Sequence, residues 1–493
     1  MQLSGRVLRL VVLGLLLEGL YLGLLVVPFS LPGWLPVPAA DLASVTHVTR
    51  ESAAVLLLGI AAVCLLSWLA YRQTLRLDPR AAAPVTFAFA ALFAATLVWV
   101  YPLDALDVFD YAMQGRILSV LGGNPYHDLP AFYPDDPFLP SVGWKQFPSV
   151  YGPAWVLLEG LIGRLCGDNQ LAALLALKGV AAASGLACCL FIHSVLRRWR
   201  PERAAAGVVL FGWNPLVVVM MGSGHNDVSM AALLLAGIWL AAGGRPTLGG
   251  WVLGVSAGIK LASAPILPAL ALGQVRSVPR LVVAGVATVV TLVGLHVPLW
   301  VGWDQFGPLM RLQAFTPSPL GLLRELWQAD LGQQVATDRA LLLSTALTAL
   351  LALAAVWRAR RGPLAGVEAA HDALFWIVFV ALPWWQPWYL VPLAALAAVD
   401  TRPGAARLSW IVAAAGLVSL FDRFYLTQHW LAVWPIEHEL HTLALVYLPP
   451  VVAAIARLVD QAARRSDSSS ASVSSRPTST SRSSAWLGAG RAK

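Results

Sequence analysis

Apolar residues run along this chain in long blocks, with few polar interruptions. The blocks fall near residues 7–27, 52–70, 83–101, 170–195, 204–222, 228–243, 249–273, 280–298, 339–357, 370–399, 407–421 and 441–458. Most are about 18 residues or longer, enough for a helix to cross a hydrocarbon core of about 30 Å. A membrane barrel would show alternating segments of about ten residues, and the sequence has no such segments. The pattern predicts an all-α polytopic integral membrane protein of about 12–14 transmembrane helices.

Basic residues orient the blocks. With Arg6 and Arg9 cytoplasmic, Arg72, Arg76 and Arg80 are cytoplasmic too, as is "RRWRPER" at 197–203. The run 151–165 then cannot be a full span, and it reads as a helix lying on the outer surface. Two later blocks have arginines at both ends. The 249–273 block lies between Arg245 and Arg276/Arg280, and the 370–399 block between Arg358/Arg360/Arg361 and Arg402/Arg407. Each is expected to be a pair of short helices hinged at its tip, near Lys260–Pro265 and Pro383–Pro387, where proline ends helical pairing. External loops fall at 28–50, 102–169, 223–227, 299–338 and 422–440. Residues 1–465 form the membrane domain, and the Ser-rich 466–493 stretch is expected to be a disordered cytoplasmic tail. Both termini are then cytoplasmic. The first block lacks a convincing cleavage site and reads as a signal anchor.

Composition agrees. Of 493 residues, 58% are hydrophobic and 12% charged, against roughly 25% charged in a soluble domain; the mean hydropathy is +0.69. The net charge of +8 would suggest nucleic acid in a soluble protein. Here arginines in cytoplasmic loops and the tail account for it. Cys64, Cys166, Cys188 and Cys189 lie in or beside apolar segments without ligand spacing and read as small core residues.

Polar chemistry collects in the external stretches, above all in "DVFDYAMQGRILSVLGGNPYHDLP", 107–130. Projected as a helix over 107–121, it places Asp107, Asp110, Tyr111 and Gln114 on one side, and Phe109, Met113, Ile117 and Val120 on the other, with Arg116 at the edge. That predicts an interfacial helix, apolar face down. Asp107 sits at the helix start, where the free N–H groups favour a carboxylate. It is either a cap or a general base facing a cavity.

Asp107-x-x-Asp-Tyr111, then "GGNPY" and "YGPAW", resembles the first external loop of the GT-C glycosyltransferases, membrane enzymes that take sugar from a polyprenyl-phosphate donor. "GWNPLVVVMMGSGHNDVSMAALLLAG" (212–237), "GIKLASAPILP" and "QPWYLVPL" look like later segments of one branch, the polyprenyl-phosphomannose-dependent α-(1→6)-mannosyltransferases of actinobacterial lipoglycan assembly. The likeness covers about residues 83–400. It implies a GT-C-like fold and transfer of a sugar, expected to be mannose, to a glycolipid or glycan hydroxyl on the outer face of the plasma membrane. It places the catalytic acid four residues before an aromatic, which is Asp107 before Tyr111, with Asp110 the weaker candidate.

An inverting transfer from a lipid phosphate needs a base on the acceptor hydroxyl and positive charge on the departing phosphate. Lys260, Arg116 and Arg311 are candidates for the phosphate. Lys260 stands out as an ionisable residue inside an apolar block, although pairing with a carboxylate would also explain it. Lys178 is a similar cation and reads as structurally paired. Tyr111, Gln114, His225, Asn226, Asp227, Trp385, Gln386 and Trp388 are candidates for sugar or acceptor contact. Asn226 or Asp227 could instead cap the next helix. The tryptophans, with Trp384 and Tyr389, could instead belong to an interfacial aromatic belt. Trp303-Asp304 could line an acceptor groove. "WPIEHELH" is not HExxH and does not read as a zinc site. No cofactor is implied beyond the lipid-linked sugar. A divalent ion held by Asp107 and Asp110 is compatible with the chemistry but not required. Expected partners are the donor, the acceptor and the bilayer, with no nucleic acid. A transporter or lipid-linked-sugar flippase is the alternative, but it would often carry a duplicated half, which the sequence lacks.

Overall fold

The structure is a computed structural model that describes residues 5–37, 40–306, 315–431 and 435–474; Arg311 lies outside these. Among the described residues there is no strand, only one isolated bridge pairing Ser30 with Val100. The protein is an all-α polytopic membrane protein. Nine described helices are long and apolar enough to cross a membrane, from Gly5–Val26 to Glu439–Gln461. One further element, Pro201–Gly212 with Pro215–Ser223, is bent by 52°. The bend falls at Asn214-Pro215, where the Asn214 side chain accepts from the Leu216 and Val217 N–H groups and restarts the helix. Asp227–Ala242, Leu261–Gln274 and Pro387–Val399 are apolar but shorter, as is Pro246–Ile259. The expected twelve to fourteen therefore include several short or broken elements, because glycine and proline cut the blocks into pieces.

Both blocks read as hinged are broken where expected. Pro246–Ile259 ends at Lys260, and a 3-10 turn, Leu261–Ile266, leads into Leu267–Gln274. Pro363–Trp376 continues as Ile377–Ala381, breaks, and resumes as Pro387–Tyr389 and Leu390–Val399. The two feet of this second pair meet. His371 Nδ1 lies 2.8 Å from Asp400 Oδ2, and Arg402 donates to Asp372 at 2.7 and 2.8 Å and to Asp400. The feet of the first pair close on the same end, where Gly273 packs on Gly366 and Arg276 donates to the Arg361 carbonyl.

Charge is sorted to opposite ends of the bundle. Arg6 and Arg76 meet at one end, where Gln73 also donates to the Arg6 carbonyl. That end also holds Arg203, Arg358, Arg402 and Arg457, paired with Asp372, Asp400 and the Thr401 carbonyl. The other end carries the loop 102–169 and most of the site described below. The last helix, Leu448–Ser474, runs into the start of the Ser-rich segment; residues 475–493 lie outside the described residues.

The loop 102–169 departs from expectation in one respect. Its helix Asp107–Ser119 is not half-exposed at an interface but buried on every side from Asp107 to Ile117. A second loop helix, Pro153–Cys166, crosses it so closely that Gly115 and Gly163 face each other backbone to backbone. Tyr126, Phe138, Tyr151 and Trp155 complete a separate apolar cluster around it. The helix's projected polar side meets these walls instead of water.

Candidate functional site

Four distant chain segments meet at the start of the Asp107–Ser119 helix. The first is the turn before it. Asp104 accepts from Ser223 Oγ at 2.6 Å and lies 2.8 Å from His225 Nε2. The other imidazole nitrogen, Nδ1, faces Asp107 Oδ2 at 3.7 Å. Ser223 and His225 flank Gly224, whose φ of +85° turns the chain between the bent helix and Asp227–Ala242. Asp227 does not cap its helix through a side-chain bond. Both its oxygens accept from Lys260 Nζ, at 3.0 and 2.8 Å. Lys260 is placed by the break in its own block. The fourth segment is the aromatic turn: Trp388 stacks on His225 with centroids 4.3 Å apart, and Tyr389 lies 4.5 Å beneath the Lys260 ammonium.

Most of this cluster is sealed. The side chains of Asp104, His225 and Asp227 are 2%, 1% and 1% exposed. Asp107 and Lys260 retain 11% and 17%, so one carboxylate and one ammonium still open outward. Burial pushes Asp107 above the ordinary carboxylate range, against the pull of His225 and Lys260. Burial also pushes on Asp104, but there His225 and Ser223 outweigh it and hold the carboxyl below its usual range. For His225, burial favours the neutral ring; Asp104, then Asp107 and Asp227, overcome it and raise its pKa.

The remaining predicted residues divide. Asp110 is buried, and its Oδ1 accepts from the Gly143 and Trp144 N–H groups at 3.1 and 2.9 Å, tying the loop to the helix. Tyr111 turns into edge-on packing with Tyr151 and Trp155, and Gln114 accepts from Ser149 at 2.8 Å. Both hold the loop together from within. Arg116 is committed elsewhere: it pairs with Asp136 at 2.8 Å and Asp168 at 2.9 Å, donates to the Gly167 carbonyl, and lies over Phe138. Four of its five N–H groups are engaged in these contacts, and its side chain is 4% exposed. Asn226 is fully buried with an unpartnered amide. Of the aromatic turn, Trp385 packs into the bundle against Phe379 and Tyr447, and Trp384 reaches Trp144 of the loop. Gln386 is buried at the start of the Pro387–Tyr389 turn. Lys178 is fully buried and donates to the Val100 carbonyl.

Two carboxyls were missed in the sequence. Asp104 completes an Asp-x-x-Asp-x-x-Asp series with Asp107 and Asp110, a spacing that signals shared placement. Glu159 lies buried in the second loop helix without a hydrogen-bond partner, and burial, then Asp110, holds its carboxyl well above the usual range. Asp110 Oδ1 is taken by the Gly143 and Trp144 N–H groups, while its Oδ2 is buried without a hydrogen-bond partner. Among the described residues, the three ligand atoms close enough together to share a metal ion belong to His371, Asp372 and Asp400 at the arginine-rich end. Arg358, Arg402 and Arg457 already neutralise them.

Residues 12–276 match the family described as alpha-(1->6)-mannopyranosyltransferase, N-terminal domain. This stretch is more than half of the chain. The chain belongs to the alpha-(1->6)-mannopyranosyltransferase family. It is 26% identical over 345 residues to alpha-(1->6)-mannopyranosyltransferase A of Mycobacterium tuberculosis, covering 62% of this chain and 65% of that protein. With a probable alpha-(1->6)-mannopyranosyltransferase of Mycolicibacterium smegmatis it shares 27% over 384 residues, 66% of this chain and 68% of the relative. With alpha-(1->6)-mannopyranosyltransferase B of Corynebacterium glutamicum it shares 25% over 346 residues, 60% and 56%. The chain thus spans between about half and two thirds of these family members' length. No solved structure matches it. The family match contains Asp104, Asp107, His225, Asp227 and Lys260, while the aromatic turn Trp384–Tyr389 lies beyond it.

Proposed function

We propose that this member of the mannopyranosyltransferase family moves a mannosyl group from a polyprenyl-phosphate donor to a hydroxyl of a glycolipid or glycan. The observation that carries this reading is the pair of partly open charges, Asp107 and Lys260, at the mouth of an otherwise sealed ionic cluster. The names of the relatives support mannose. Positive charge favours the cytoplasmic side, so the arginine-rich end faces the cytoplasm and Asp107 acts at the outer face.

In the reaction, the acceptor oxygen attacks C1 of the sugar as the bond from C1 to the phosphate oxygen breaks. Asp107 takes the hydroxyl proton. Its raised pKa makes it a stronger base than an ordinary aspartate, at the cost of needing a higher pH to be ionised. Lys260, steered by Asp227 and Tyr389, meets the charge that grows on the leaving phosphate. The activated donor supplies the driving force, so the reaction asks for no nucleotide.

The test is transfer of radiolabelled mannose from polyprenyl-phosphate mannose to a membrane glycolipid extract by the full chain in nanodiscs, with Asp107→Asn alongside. The expected result is labelled product from the wild type and a loss of roughly 100-fold or more in the variant, which stays folded. Asp110→Asn lowers transfer less, by loosening the 143–144 turn. Equal rates for Asp107→Asn and wild type refute the base assignment. Product from another polyprenyl-phosphate sugar alone replaces mannose. Silence with every donor favours a transporter.

A further inference from the structure

His225 is held between two carboxylates, one on each ring nitrogen. Asp104 Oδ2 lies within hydrogen-bond distance of Nε2, at 2.8 Å, whereas Asp107 Oδ2 faces Nδ1 at the ion-pair distance of 3.7 Å, and Nδ1 is buried with no hydrogen-bond partner. A neutral imidazole has one N–H and one lone pair. In either neutral tautomer, one carboxylate would face that lone pair. Only the doubly protonated ring offers a donor to both. The Trp388 face, stacked at 4.3 Å and 18°, favours a cation in the same place. Asp104 is itself fixed from its far side by Ser223 Oγ at 2.6 Å, so its orientation does not depend on His225.

We propose that Asp104 is a positioning residue for the transfer, holding His225 as a cation whose Nδ1–H is presented to Asp107, so that the base stays ionised and aimed. The inference rests on the proposed function for its role in transfer, but not for the pairing. The charged and titratable groups facing His225 are Asp104 from the preceding turn, Asp107 from the loop helix and Asp227 from its own stretch of chain. Lys260 stands beyond Asp107 and Asp227, and Lys178 lies behind Asp104. The carboxylates outnumber the nearby cations, which is why removing one of them matters. The chemistry balances without moving the imidazole protons. The acceptor proton passes to Asp107, and His225 keeps both of its own from start to finish.

Two readouts on the full chain in nanodiscs test this. The first is the nitrogen spectrum of 15N-histidine-labelled protein, with His225→Gln identifying the signal. The wild type is expected to keep His225 doubly protonated to higher pH than a free imidazole, and Asp104→Asn to lose the second ring proton at lower pH than the wild type. The second is the pH profile of mannosyl transfer. Asp104→Asn is expected to lower kcat by on the order of tenfold to a hundredfold, less than loss of the base, with KM little changed. The acid limb of the profile should move to higher pH, because the pull of the His225 cation on Asp107, lost in the variant, is larger than the opposing push of Asp104, lost with it. Asp104→Glu should restore part of both readouts, which a purely structural role would not require. If Asp104→Asn fails to fold, Ser223→Ala, which frees the other edge of Asp104, should show a smaller shift in the same direction. A wild-type His225 that titrates no higher than a free imidazole overturns the proposal, as does a pH profile of Asp104→Asn that superimposes on that of wild type. Absence of any transfer by the wild type would overturn the proposed function, while the nitrogen spectrum would still decide the pairing.

Discussion

The crossing of the two loop helices sets where Asp107 can stand, and Gly115→Ala tests it. A Cβ built on Gly115 would lie 2.2 Å from the Glu159 carbonyl oxygen and 2.7 Å from its carbon, both backbone atoms that no side-chain rotation can move. Ordinary contact begins at 3.4 Å, so the helices must separate by roughly 1 Å. Gly163 closes the same crossing from the other side, 2.6 Å from Gly115 backbone atoms by the same construction. Asp107 lies eight residues before Gly115 on the same rigid helix, about 12 Å along its axis, so a displacement at the crossing is carried to the carboxylate. Overpacking of this kind costs about 1–3 kcal/mol, and misplacing a reacting group by about 1 Å costs on the order of a hundredfold in rate. Alanine also gains up to about 1 kcal/mol over glycine in a helix. Gly179→Ala, in a helix position with nothing within 4 Å of the added Cβ, makes that same gain without the clash and serves as the reference. Thermal unfolding and mannosyl transfer are measured for both variants in nanodiscs. Gly115→Ala should be less stable than Gly179→Ala and slower by roughly ten- to one-hundredfold. Equal stability and rate for the two would show that the crossing does not position the base.

The assignment of Arg116 to packing makes a separate prediction. Arg116→Met leaves Asp136, 3% exposed, without its partner and should cost about 3–5 kcal/mol, while the folded fraction keeps its KM for the donor; a selective rise in KM at unchanged Tm would return Arg116 to the phosphate. With Asp107 as the proposed base, the acid limb of transfer should lie above the ordinary carboxylate range, because burial raises Asp107 and only an ionised base accepts the proton. Lys260→Met removes one of the two groups pulling that pKa down, so the limb should move to still higher pH in a pH–rate series; a shift to lower pH would contradict the sign.

The sequence made the bundle legible because lipid demands long apolar runs whatever the tertiary detail. It also showed the breaks at Lys260 and Pro383–Pro387, since proline ends helical pairing locally. Asp107 was visible because a carboxylate directly after an apolar run is costly to bury, so at a helix start it marks either a cap or a site. Lys260 and His225 were visible as polar residues in apolar surroundings, but their partners were not. Asp104 reads from sequence as a loop aspartate, and the residues it binds are more than a hundred positions away. Arg116 looked interfacial because Asp136 and Asp168, which claim it, lie 20 and 52 residues on. The loop helix looked amphipathic because helical projection assumes water on the polar side. Pro153–Cys166 and the aromatics around it occupy that side instead, a long-range fact with no local mark.

The aromatic turn has a consequence for how the protein is made. Trp388 leaves the ribosome 128 residues after Lys260, with Tyr389 next, about 6–25 s later at ordinary synthesis rates. The ions they cover do not wait unpaired. Asp104 is matched by His225, and Asp227 by Lys260, all among residues already synthesised. The nascent membrane segments can therefore carry their charges as neutral couples, and the late tryptophan and tyrosine arrive to roof a constellation that is already compensated.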